Sequence, residues 1–187
     1  METVGLPERV AAVADLLLSE IARTADPDAA LRNFGAFLER VPSPLNFLSF
    51  LEANPQSFEI LLVILGASPY LTQTLLRNPE YFYWLVEPNR LQRVSGRKQY
   101  QEAAREMTRP TSDLDQALNA LRRFRRRESL RIGTQDLMGT TSLAETVSQL
   151  SALAEAILSE VFSLLSRPML ADPAAFTVLA VGRLGGG

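Results

Sequence analysis

Leu114-Asp-Gln-Ala-Leu-Asn-Ala-Leu-Arg-Arg-Phe-Arg-Arg-Arg-Glu-Ser-Leu-Arg-Ile-Gly133 is the stretch that decides how this chain folds. Leu114, Ala117, Leu118, Leu121 and Phe124 recur at three- and four-residue spacing, which lines them up on one stripe of a helix. Asp113 and Asp115 fall in the first turn, where the helix dipole favours acids, behind Ser112 as the expected cap. The helix is expected to end near Gly133. Arg122, Arg123, Arg125, Arg126, Arg127 and Arg131 lie within ten residues of it. At helical spacing they wrap much of the circumference, so they cannot all meet one partner. Two readings stand: a solvated face balanced by Glu128 and other acids, or a subset turned toward a polyanion such as a nucleotide phosphate or an acidic protein patch.

Downstream, Ser142-Leu-Ala-Glu145 is a capping box. It opens a second long helix with the stripe Leu143, Val147, Leu150, Ala154, Ile157, Val161 and Leu164. At roughly 1.5 Å per residue this helix reaches about 35 Å by Ser166, and Arg167-Pro168 ends it. A short loop with Asp172-Pro173 leads to Phe176-Thr-Val-Leu-Ala-Val-Gly-Arg-Leu-Gly-Gly-Gly187. The unbroken apolar run from Phe176 to Val181 reads as a strand buried on both faces. It enters a glycine turn, Gly182-Arg183-Leu184-Gly185-Gly186, whose backbone N–H groups can approach a phosphate closely. No Gly-Lys-Ser/Thr follows, so this is not a Walker A loop, and the glycine spacing differs from the dinucleotide fingerprint. A tight turn or flexible tail is the bland alternative. A lone buried strand is not stable by itself, so the chain reads as the front part of a larger protein.

Upstream, residues 1 to about 92 read as short helices with one recurrent start signal. Asp26-Pro27, Ser43-Pro44, Asn54-Pro55, Ser68-Pro69 and Asn78-Pro79 each place a capping oxygen before a proline suited to the first helical position. Gly66 is a plausible C-terminal stop. Ser43-Pro-Leu and Asn54-Pro-Gln-Ser-Phe58 recur about 24 residues on as Ser68-Pro-Tyr and Asn78-Pro-Glu-Tyr-Phe82. This is either a duplicated helical hairpin or the chance likeness of proline-capped helices. Tyr70, Tyr81, Phe82, Tyr83 and Trp84 form an aromatic-rich patch that reads as core packing ahead of a ligand box. Polarity rises after Leu91, and Ser95-Gly96-Arg97-Lys98 marks the boundary between a helical module, residues 1–94, and the part made of long helices, residues 95–187.

Composition removes several classes of function. The 187 residues are 47% hydrophobic and 21% charged, with a net charge of −2. That balance gives no pull toward nucleic acid or anionic membrane, and the one aromatic within the arginine run, Phe124, belongs to the apolar stripe of its helix. The chain has no Cys and no His. Disulfides, thiolate or imidazole metal ligands and Ser-His or Cys-His triads are therefore excluded. The apolar runs are short and flanked by charge, so no membrane span is expected, and no basic leader precedes Glu2 and Glu8. Cytoplasmic localisation is the expectation. Eighteen of nineteen basic residues are Arg, with Lys98 the exception.

Three stretches together resemble the glutamate–ammonia-ligase adenylyltransferase family, enzymes that modify glutamine synthetase. They are Gly66-Ala-Ser-Pro-Tyr-Leu-Thr-Gln-Thr-Leu-Leu-Arg-Asn-Pro-Glu80, the segment from Leu121 to Gly133 with Asp136-Leu-Met-Gly139, and Val181-Gly-Arg-Leu-Gly-Gly186. The resemblance spans roughly residues 30 to 187. It implies a mainly α chain: a short-helix module, two long helices, and the first strand of a truncated polymerase-β-like nucleotidyltransferase domain. It also implies that Gly182, Arg183, Gly185 and Gly186 form the phosphate-cradling turn and its entry. In the family a Ser-Asp-x-Asp-Leu segment about ten residues further on holds Mg²⁺ for ATP or phosphate. Those carboxylates are not in this sequence, so no catalytic or metal-binding residue is expected here, no cofactor is expected to bind this chain alone, and the chain alone is expected to be inactive. Gly187 departs from the polar residue common at that position of the family. The resemblance further implies that the longer protein adds AMP to and removes it from glutamine synthetase, regulating nitrogen assimilation, with glutamine synthetase and a PII-type signalling protein as partners. A non-catalytic helical interaction module is the competing reading, motivated by the repeat and the aromatic patch.

Overall fold

The computed structural model describes Ala14 and residues 17–169. The regular structure among these residues is helical: residues 17–21, then α1 Pro27–Leu38, α2 Pro44–Ala53, α3 Pro55–Ala67, α4 Pro69–Arg77, α5 Glu80–Leu85, α6 Arg97–Thr108, α7 Leu114–Leu137 and α8 Leu143–Met169. The expected strand from Phe176 to Val181 and the glycine turn lie outside the described residues.

The chain divides into two compact units. Among the described residues, those up to Leu91 and Gly133–Thr140 form the first. Gln92–Ile132 and residues 141–169 form the second.

In the first unit, Pro27, Pro44, Pro55 and Pro69 all open their helices, where a missing N–H costs nothing. The oxygens before them divide their labour. Asp26 Oδ1 accepts from Ala29 N at 2.9 Å and Ser68 Oγ from Leu71 N at 3.3 Å. Asn54 and Asn78 act backward instead: their Nδ2 groups donate to Phe50 O at 2.8 Å and Thr74 O at 3.0 Å, satisfying the end of the preceding helix. An amide has donors where Ser and Asp caps have acceptors, which explains the difference. The two proline-started pairs share buried Phe58 and Phe82, but their second helices run 13 and 6 residues.

The core of this unit is aromatic. Phe37, Phe47 and Phe82 are all fully buried. Their ring centroids lie 5.4 Å (Phe37–Phe47), 5.6 Å (Phe47–Phe82) and 6.1 Å (Phe37–Phe82) apart, within the range where tilted and edge-to-face pairs are favourable. The patch around residue 82 therefore splits. Tyr81 and Phe82 face inward, Tyr70 and Tyr83 are exposed, and the Arg90 guanidinium sits 4.6 Å from the Trp84 ring.

Two expected helix ends move, for one reason. Gly66 lies inside α3, where a Cβ would come within 3.0 Å of Thr24 Cβ and 3.2 Å of Asp26 O. Gly133 lies inside α7, where a Cβ would meet Leu71 Cδ1 at 2.9 Å. Both glycines permit close packing rather than stopping a helix. The stop of α7 is Gly139, at φ 64. Its N–H donates to Asp136 O and that of Thr140 to Gln135 O, both at 3.0 Å, which is the Schellman pattern.

In the second unit, α7 is capped by Asp113 and not by Ser112: Asp113 Oδ1 accepts from Gln116 N at 2.7 Å. Asp113 directly precedes the first helical residue, which puts its carboxylate over the third N–H of the helix. The capping box of α8 forms as read, with Ser142 N donating to Glu145 Oε2 at 2.8 Å and Glu145 N to Ser142 Oγ at 3.3 Å. The bond from Ser142 N, and after it one from the Ser142 hydroxyl to Glu145 Oε2 at 2.8 Å, hold the Glu145 carboxyl below its ordinary range. Helix α8 ends at Met169, one residue past Pro168.

Tyr100, Ala104, Leu121, Phe124, Ile132, Ala152, Leu153 and Ala156 make the core of this unit. The stripe expected to bury α8 is therefore only partly the buried one. Ile157, Val161 and Leu164 pack against the core, but Leu143 and Leu150 are exposed, and Thr146, Gln149, Ala152, Leu153 and Ala156 are buried in their place. By length and composition Leu143–Ser166 could cross a membrane. Its polar side chains nonetheless have partners inside the unit: Gln149 bonds Arg131, Glu155 pairs with Arg97 at 2.7 Å, and Glu160 accepts from Thr108 at 2.6 Å.

Candidate functional site

The residues read from sequence as the phosphate cradle, Gly182, Arg183, Gly185 and Gly186, lie outside the described residues. What the structure does place is the helix that carries the arginines, and it sorts them.

Arg131 is wholly buried, with 0% of it exposed. Leu130 and Ile132 on either side are buried too, and Ser129 and Gly133 are half-buried. An isolated guanidinium there would be very costly, and burial is tolerable only because its donors are satisfied. Nε donates to Glu128 Oε2 at 2.9 Å. Nη1 donates to the Arg93 carbonyl. Nη2 donates to the Tyr100 hydroxyl at 2.6 Å and to Gln149 Oε1 at 3.0 Å. Gln149 Oε1 also accepts from Ser95 N at 3.2 Å, and Arg93 Nε donates to Ser95 Oγ at 2.9 Å. One guanidinium thus ties the segment before α6 to α6, α7 and α8.

The network shapes the chemistry of its members. Burial pushes the Tyr100 phenol up to about 12, against the opposing pull of the Arg131 charge beside it. Tyr100 is a hydrogen-bonding strut and not a base. Arg131, with four acceptors already engaged, has no fork to offer a ligand. Its role is to position α7.

Of the other five, Arg127 is half-buried and four face outward. Arg122, Arg123, Arg125 and Arg126 are exposed, spread over less than half the circumference of two turns. Arg122 Nη1 donates to Asn119 Oδ1 at 2.7 Å. Arg123, Arg125 and Arg126 form no ion pair among the described residues. Glu128 is spent on Arg131, so the expected acid for the surface arginines is turned inward. Among the described residues no cluster of three carboxylates could hold a metal ion.

Tyr100, Gln149 and Ser95 are structural positions around Arg131 that pattern reading missed. They meet Arg131 or each other across 18 to 54 residues of sequence, beyond any local periodicity. The available signal was Leu130-Arg131-Ile132, a charge set between two apolar residues.

The family model of glutamate-ammonia ligase adenylyltransferase matches residues 58–187. Three relatives, each named a bifunctional glutamine synthetase adenylyltransferase/adenylyl-removing enzyme, are similar over nearly the whole chain. That of Pseudomonas aeruginosa is 31% identical across 96% of this chain and 20% of its own length. That of Idiomarina loihiensis is 30% identical across 91% and 19%, and that of Brucella suis biovar 1 is 29% identical across 95% and 19%. The chain spans about a fifth of the length of the curated relatives it matches. With the family model covering more than two thirds of its residues, arginine helix included, this chain belongs to the glutamate-ammonia ligase adenylyltransferase family.

Proposed function

We propose that this chain is the N-terminal part of an enzyme that adds AMP to glutamine synthetase and removes it, regulating nitrogen assimilation. The observation that carries the reading is the family match from residue 58 to residue 187, which takes in the braced arginine helix and the glycine turn together.

In this reading Phe176–Val181 is the first strand of a polymerase-β-like nucleotidyltransferase domain. Gly182 and Arg183 enter the turn, and the N–H groups of Gly185 and Gly186 cradle a phosphate of ATP or inorganic phosphate. Carboxylates further along the longer protein hold Mg²⁺, which neutralises charge on the phosphates. The outward arginines Arg122, Arg123, Arg125 and Arg126 add positive potential for a polyanion. Glutamine synthetase is the substrate, a PII-type signalling protein the regulator, and the cytoplasm the compartment.

The chain alone is inactive, because it lacks the metal-holding carboxylates. The test is release of AMP from adenylylated glutamine synthetase given phosphate and Mg²⁺. The longer protein is expected to release it and the 187-residue chain to release none. Release by the 187-residue chain would overturn the inactivity, and no release by the longer protein would overturn the enzymatic reading.

A further inference from the structure

Helix α7 carries four positive charges that its own unit leaves without an acid. Arg122, Arg123, Arg125 and Arg126 are all exposed. Arg122 bonds the neutral amide oxygen of Asn119, and the other three have no hydrogen-bond or ion-pair partner among the described residues. Neighbours on a helix surface lie three and four residues apart. At those spacings from the four arginines the one carboxylate is Glu128, and it pairs with the buried Arg131 instead. Asp115, the next acid upstream on this helix, stands about 10 Å back along the axis from Arg122. Arg122–Arg125, Arg122–Arg126 and Arg123–Arg126 are like-charge pairs at the neighbour spacing, which disfavour the helix. The unit bears a repulsion that an anion outside it would relieve.

The shape of the patch selects among anions. At 3.6 residues per turn the four side chains leave a convex surface in directions spread over about 160°. Guanidiniums that diverge cannot close together on one phosphate group. They suit charges strung along a chain. A nucleic acid strand is disfavoured: Phe124, the aromatic within the run, is 3% exposed and offers no stacking surface, and the net charge of −2 repels a phosphate backbone. Carboxylates, by contrast, match the planar guanidinium fork two bonds at a time. We propose that this face of α7 docks an acidic protein segment, whose Asp and Glu carboxylates take the guanidiniums of Arg122, Arg123, Arg125 and Arg126. The inference shares with the proposed function only the outward turn of these arginines, and it needs no nucleotide.

Fluorescein-labelled deca-glutamate is the probe, and its anisotropy is followed as the 187-residue chain is added. One variant replaces Arg122, Arg123, Arg125 and Arg126 with Gln. A control variant replaces Arg23, Arg32, Arg40 and Arg77 with Gln, which removes the same charge from exposed positions of the other unit. The wild type is expected to bind, less tightly as salt rises. Binding should weaken at least tenfold in the α7 variant and stay within twofold of the wild type in the control, with the helical circular dichroism of both unchanged. No binding by the wild type, or equal losses in the two variants, would overturn the proposal. So would tighter binding of a labelled twelve-nucleotide oligothymidylate, which would give the face to nucleic acid. Glutamine synthetase and AMP are absent from the titration, so its failure leaves AMP release to be judged on its own.

Discussion

A guanidinium bonded to Glu128, Arg93, Tyr100 and Gln149 cannot be removed without stranding three buried side chains and the Arg93 carbonyl. Replacing Arg131 with Met should cost about 3–5 kcal/mol, because the Glu128 carboxylate and three polar partners lose their donor together. Urea unfolding checks this, and a loss below about 1 kcal/mol would show that the network is dispensable. Lysine should not restore the loss, since one ammonium cannot reach partners arranged for a planar fork. Tyr100 gives a pH signature. Its folded-state value of about 12 lies above the ordinary 10.0, so the unfolded chain loses this proton first. The contribution is fully present below pH 10 and falls as pH rises toward 12. Stability measured through that window should fall more steeply for the wild type than for Tyr100→Phe; parallel curves would contradict the burial. The arginine run shows what was legible at this scale. That the six arginines could not share one partner follows from helical spacing. Which of them turns inward depends on Tyr100 and Gln149, and those are remote in sequence.

Helix starts proved readable because their chemistry is local. The capping box at Ser142 and the prolines at 27, 44, 55 and 69 each act within four residues. Glycines misled, since a helix stop and a close approach both select Gly, and only the packed structure separates them. Gly139, at φ 64, carries the left-handed position, so Gly139→Ala should cost about 1 kcal/mol. Gly35, inside α1 with nothing within 4 Å of a Cβ, should behave oppositely, Gly35→Ala adding about 0.5–1 kcal/mol through helix propensity. Thermal melts of the two variants would move in opposite directions, and movement together would contradict the assignment. The stripe of α8 failed for another reason. Thr146 and Gln149 are buried through hydrogen bonds, to Thr141 Oγ1 at 3.1 Å and within the Arg131 network, and hydropathy does not register a satisfied polar group.

At the scale of the whole molecule, the proposed function makes the described helices a scaffold for a phosphate site at residues 182–186. Family membership was legible because three short stretches, residues 66–80, 121–139 and 181–186, resemble the family, and the family model takes in all three. The mainly α character was equally legible, since both long helices announce their length by periodicity. How residues 97–164 share a core was not, because it depends on Ala104, Ala152 and Ala156, small residues that no stripe singles out. The central claim is that the glycine turn at residues 182–186 serves phosphate chemistry. The most direct measurement is phosphate-dependent AMP release from adenylylated glutamine synthetase by the longer protein, with Gly185→Val and Gly186→Val compared with the wild type. A side chain at either position should block close approach of the backbone and lower the rate at least a hundredfold, with the melting temperature preserved. Rates within twofold of the wild type in both variants would contradict the account.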